Sequence, residues 1–177
     1  MTTTLSLLRT LNEKLAIAAG LLLLASVMIT LFDIVARPLG LSLGGTDELS
    51  GYAMAIVTSW GVSYALTCLA HVRIDLLRER GTKAVRAWFD AVSILSLAGV
   101  AVTVAYRGWP VLEKSIQSHS RANTTLETPL WIPQSLWMAG WAWFAFSAVI
   151  LAVSVCMFLA GGRHDDIDEF AGSRGEA

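Results

Sequence analysis

The chain has 177 residues, of which 55% are hydrophobic and 15% charged, with a formal net charge of -1 and a mean hydropathy of +0.59. Ordinary soluble domains carry about 25% charged residues, so this composition excludes a typical soluble globule. The near-zero charge also removes the electrostatic basis for nucleic-acid binding.

A bilayer-spanning helix needs about 20 mainly apolar residues, and four stretches qualify: about 15–33, 49–70, 88–107 and 135–159. All four prolines (Pro38, Pro110, Pro129, Pro133) fall just outside these spans. Unbroken helices satisfy their own backbone hydrogen bonds in hydrocarbon. The expected fold is therefore all-α: an integral membrane four-helix bundle over residues 1–162, with a polar cytoplasmic tail at 163–177. A cleaved leader is an alternative for the first span, since Arg9 and Lys14 precede it. No clean small-x-small cleavage pattern precedes Asp33, however.

Two segments outside the spans read as short amphipathic surface helices. Residues 3–14 group Leu5, Leu8 and Leu11, and residues 111–121 place Leu112 and Ile116 four apart. Lys and Arg number nine in the N-terminal arm, the middle loop and the tail, against four in the other two loops. The positive-inside rule then puts both termini in the cytoplasm. Tyr106, Trp109, Trp131, Trp137, Trp141 and Trp143 gather at the outer ends of spans three and four, with Trp88 and Phe89 at the inner end of span three. They read as interfacial anchors or as packing against a partner helix. Asp33 and Asp90 lie near helix ends, within reach of headgroups or water.

The spans hold no mid-membrane ionisable group and no broken helix. A coupled transporter builds its site from such features, so this chain is not expected to transport alone. His71, His119 and His164 lie outside the spans, and no His/Cys cluster exists, which argues against haem, zinc or an iron–sulfur centre. Cys68 and Cys156 read as small packing residues. No catalytic motif is present, so no enzyme activity is expected. The Asn123-Thr124-Thr125 triplet is a weak match to a glycosylation sequon.

Span two carries the clearest partner signal. Gly51, Ala55, Thr58 and Ala65 share an arc of about 80°, with Gly61 at its edge. Small residues favour close helix contact in lipid. The stripe serves either packing inside the bundle or contact with a second protein. Thr46, Asp47 and Glu48 open this span, where they can cap free N–H groups and complement the helix dipole. His71, Arg73 and Asp75 close it. They read either as interfacial anchors or as a polar contact with a partner or lipid headgroup.

The stretch Asp33–Leu77 resembles the small, DctQ-like membrane subunit of tripartite ATP-independent periplasmic (TRAP) transporters. The resemblance rests on Arg37 after the first span, the acidic pair Asp47 and Glu48, Gly61 in mid-helix, and His71-Val72-Arg73-Ile74-Asp75. A TLETPLWIP run before span four adds to it, and the likeness covers roughly residues 5–160. The acidic pair departs from the commoner Glu-Glu, and Gly-Gly-Thr stands where a tryptophan is often found.

The resemblance implies a non-transporting scaffold in the bacterial inner membrane, with no cofactor of its own. It implies sodium and substrate sites on a large multi-helix partner subunit, a periplasmic substrate-binding protein, membrane lipids around the complex, and import of organic acids. Accessory subunits of tricarboxylate-type transporters and redox-enzyme anchors are the alternatives.

Overall fold

The computed structural model describes residues 2–68 and 82–162. It is all-helical, with no strand among the described residues. Helix α1 runs Thr2–Ala36 and is followed by a 3-10 turn, Arg37–Leu39. Helix α2 runs Thr46–Thr67, α3 Lys83–Gln117 and α4 Trp131–Ala160.

Among the described residues, three helices are long and apolar enough to cross a membrane: the first, third and fourth. At 1.5 Å per residue α2, with 22 residues, is about 33 Å long and could also cross. It is less apolar because it buries polar side chains, Thr46, Ser59 and Ser63, against its neighbours.

Helix α1 packs on α2, α2 on α4, and α4 on α3. These principal contacts form an open series, in the order α1, α2, α4, α3. Helix α1 is a flank of that series. Its most apolar window is 6% buried, against 50% for α4. The core lies where α2, α3 and α4 meet and centres on Leu66, Ile94, Ala101, Phe144, Ala148 and Val155.

Both amphipathic segments differ from expectation. Residues 3–14 are the first turns of α1, and residues 111–117 are the last turns of α3. Leu5, Leu8 and Leu112 are buried, so these segments gain more from helical continuity and protein packing than from lying flat on a surface. Helix α3 therefore runs through Pro110, which removes the amide bond back to Tyr106 and crowds that residue's carbonyl.

Hydroxyls along the helices fold back onto carbonyls of the preceding turn. Thr30 bonds Ser26 at 2.9 Å, Thr58 bonds Met54 at 2.8 Å, Thr103 bonds Gly99 at 2.7 Å and Ser154 bonds Ile150 at 2.8 Å. Such self-satisfaction lets polar side chains sit on helices that face hydrocarbon.

Candidate functional site

The α1–α2 and α3–α4 connections meet at one end of the molecule. The start of α1 and the end of α4 lie at the other.

At the connected end, Asp33 is almost fully buried and accepts four hydrogen bonds. They come from Arg37 Nη2 (2.8 Å), Ser42 Oγ (3.2 Å), the Leu43 amide (2.7 Å) and Thr46 Oγ1 (3.1 Å). A carboxylate at a helix C-terminus opposes the dipole, and these donors offset that. Asp33 thus organises the connection instead of reaching out to water, as its place near a helix end had suggested. Thr46 donates to Asp33 and does not cap α2; Gly45 is the N-cap and offers no side-chain bond.

Glu48 is no cap either. Its carboxylate accepts from Tyr52 Oη at 2.5 Å and from the Thr124 hydroxyl. The Thr124 hydroxyl first, then those of Tyr52 and Thr128, hold the Glu48 carboxyl below its ordinary range. Thr124 belongs to a tight turn closed by bonds from the Ala122 amide to the Thr128 carbonyl (2.9 Å) and from the Leu130 amide to the Ser120 carbonyl (3.0 Å). Leu126 of that turn sits directly over Gly45. Glu48 therefore fastens the α3–α4 loop to α2, while Asp47 is exposed.

A third polar centre escaped the sequence analysis. Asn12 is fully buried and joins three helices. Its Nδ2 donates to the Ser63 carbonyl on α2 (3.1 Å), and its Oδ1 accepts from Trp143 Nε1 on α4 (2.7 Å). Trp143 is thus a structural bolt and not an interfacial anchor. Trp141 also turns inward, edge-on to Phe144 at 5.9 Å. Trp88, Tyr106, Trp109 and Trp131 remain exposed, as anchors require. Cys68 is half-buried, but Cys156 is exposed and not a packing residue.

The α2 stripe divides the candidate interface residues cleanly. Gly51, Ala55 and Thr58 are exposed, and Gly61 and Ala65 are half-buried. A Cβ added at Gly51 or Gly61 would meet nothing within 4 Å. Gly51, Ala55 and Thr58 are therefore not used for packing inside this chain, and Gly61 and Ala65 are used only in part. The internal contact uses Ser59 and Ser63, on an adjoining face of α2, and the close approach is made by Gly140 of α4. A Cβ there would lie 2.3 Å from Ser59 Oγ and 2.9 Å from Trp60 Cδ1. Trp60 Nε1 closes this seam on the Leu136 carbonyl at 3.0 Å. His71, Arg73 and Asp75 lie outside the described residues.

Over residues 26–162 the chain matches the family of tripartite ATP-independent periplasmic transporters, DctQ component. The chain belongs to the DctQ family. Its match spans most of the sequence and includes all of α2, α3 and α4. No curated protein and no solved structure matches it. The protein is accordingly a small membrane component of a TRAP transporter, a transport family and not an enzyme family, which sets aside the tricarboxylate-type and redox-anchor alternatives.

Proposed function

We propose that this DctQ protein is the non-transporting scaffold subunit of a sodium-coupled secondary transporter for organic acids in the bacterial inner membrane. Its partners are a large multi-helix membrane subunit, which holds sodium and substrate, and a periplasmic binding protein that delivers the substrate. Both termini face the cytoplasm, and the connected end, with Asp33 and Glu48, faces the periplasm. This orientation rests on the Lys and Arg bias and on the shared end of the two connections. The chain itself needs no cofactor.

The open α2 stripe carries the reading. Small residues on a membrane helix allow a second backbone to come close, and here the chain's own helices leave Gly51, Ala55 and Thr58 exposed and cover Gly61 and Ala65 only in part. The large subunit covers this stripe, with His71, Arg73 and Asp75 extending the contact.

The test is co-purification of tagged protein from membranes of the native host, with mass identification of its companions. The wild type is expected to bring down a many-helix permease in about equal amount. Gly61→Leu is expected to lose the permease while remaining a folded, membrane-inserted chain. An intact, active complex with Gly61→Leu removes the stripe from the interface. Wild-type chain recovered alone, in a detergent that preserves known complexes, removes the scaffold role.

A further inference from the structure

Leu39, Leu41 and Leu43 form an apolar tip between α1 and α2, at 74%, 65% and 57% exposure. Three leucines held outward on a short loop need an apolar neighbour. The loop cannot fold them inward, because Asp33 grips it at Arg37, Ser42 and Leu43. Gly40, Gly44 and Gly45, at φ +75°, +66° and +74°, set its path.

Two observations identify the neighbour. The first is continuity: Leu31, Phe32, Ile34 and Val35 on the last turns of α1 are all exposed, and the three leucines prolong that bare apolar surface beyond the helix end. From Leu15 to Ala36 the helix rises about 33 Å, close to the roughly 30 Å hydrocarbon thickness of a bilayer. The loop thus emerges at the boundary between acyl chains and headgroups. The second is charge. Arg37 bonds Asp33 through Nη2, and its side chain is 61% exposed. A guanidinium has five donors arranged as a fork, a geometry that matches a phosphate.

We propose that the 37–43 loop is a lipid-binding foot. Leu39, Leu41 and Leu43 seat in the acyl–headgroup boundary of the leaflet at the connected end, and Arg37 binds a phospholipid phosphate. Asp33 is the positioning residue that holds the foot in this pose. The inference rests on the reading that α1 crosses the membrane.

The test uses the full chain with Cys68→Ser and Cys156→Ser, reconstituted in phosphatidylcholine–phosphatidylglycerol vesicles. Spin labels are placed singly by Leu41→Cys, Leu43→Cys, Met28→Cys and Asn123→Cys. Collision with oxygen reports lipid, and collision with a water-soluble nickel chelate reports water. The expected oxygen-to-nickel ratio at 41 and 43 is several-fold above that at 123 and approaches that at 28. A ratio at 41 and 43 equal to that at 123, with 28 still in lipid, overturns the foot but leaves the membrane reading intact. Water access at 28 as well overturns both.

Shielding of 41 from both reagents in the chain alone assigns the tip to a second copy. Shielding only once the large subunit is bound assigns it to that partner. Either result overturns the foot. For the phosphate, dephasing of arginine Cζ signals by lipid phosphorus in solid-state NMR is expected to fall in Arg37→Gln. Equal dephasing overturns Arg37's part.

Discussion

Trp143 on α4 donates its indole N–H to the amide oxygen of Asn12 on α1 at 2.7 Å, linking residues 131 positions apart. The same amide donates to the Ser63 carbonyl, so a single side chain ties together α1, α2 and α4. Interhelical hydrogen bonds in membranes are worth about 1 kcal/mol, with a range of roughly 0.6–2. Trp143→Phe is expected to lower unfolding stability by about that amount, and Asn12→Ala, which removes both bonds, by about twice as much. The double variant should cost less than the sum, because each change alone removes the shared bond. Unfolding of purified chain in mixed micelles measures the cycle, and strict additivity would show that the bond contributes nothing.

The α2–α4 seam leaves no room at Gly140. An added methyl lies 2.3 Å from Ser59 Oγ, 2.8 Å from Ser59 Cβ and 2.9 Å from Trp60 Cδ1, and two of those atoms are not flexible ends. Overpacking of this kind costs about 1–3 kcal/mol. Gly140→Ala is therefore expected to destabilise the chain strongly, while Gly61→Ala, which points into open space, leaves stability unchanged or slightly raised. Adding Ser59→Gly to Gly140→Ala removes the two nearest atoms and should restore part of the loss. Similar unfolding midpoints for the two alanine variants would contradict this division of α2 into an inner and an outer face.

Gly45 combines two constraints. Its φ is +74°, and a Cβ there would sit 2.5 Å from Leu126 Cγ. Gly45→Ala should thus strain the backbone by about 1–2 kcal/mol and also push the α3–α4 loop off α2. Leu126→Ala in the same chain relieves the collision but not the backbone strain. The double variant is expected to stay measurably weaker than Leu126→Ala alone, with the loop's protease resistance restored. Full recovery of stability would mean that the left-handed conformation is not required.

The existence and approximate place of the four helices were legible because long apolar runs bounded by charges have few alternatives. The family was legible from Arg37, the acidic pair, Gly61 and the 71–75 run together. The helix ends were not. Residues 3–14 and 111–117 carry polar side chains and look like separate surface helices, but Leu5, Leu8 and Leu112 find apolar neighbours and draw the spanning helices outward. Asn12 was invisible for the same reason. A lone asparagine beside Arg9, Glu13 and Lys14 reads as solvated, and only the three-dimensional meeting of α1, α2 and α4 shows it enclosed. The roles of Thr46 and Glu48 were misjudged because local capping is the nearest use of such residues at a helix start. Their actual partners, Asp33 and Thr124, are distant in sequence.

Glu48 makes the connected end sensitive to acid. Hydrogen bonds from Thr124 and Tyr52 favour its ionised form, so its folded value lies below the ordinary 4.5. A depressed carboxyl binds fewer protons in the folded state than in the unfolded one. Its contribution is complete above the unfolded value and disappears as pH falls through the folded one. The α3–α4 loop should therefore stay fastened to α2 at pH 5 and above and loosen only as pH falls below about 4.5. A spin label at Asn123→Cys, in the cysteine-free background, reads the change as a rise in mobility on acidification. Glu48→Gln keeps a hydrogen-bonding group but cannot ionise, so its loop mobility should be higher at neutral pH and nearly flat across the acid range. A wild-type loop that loosens already between pH 7 and 5 would mean that some other group controls it.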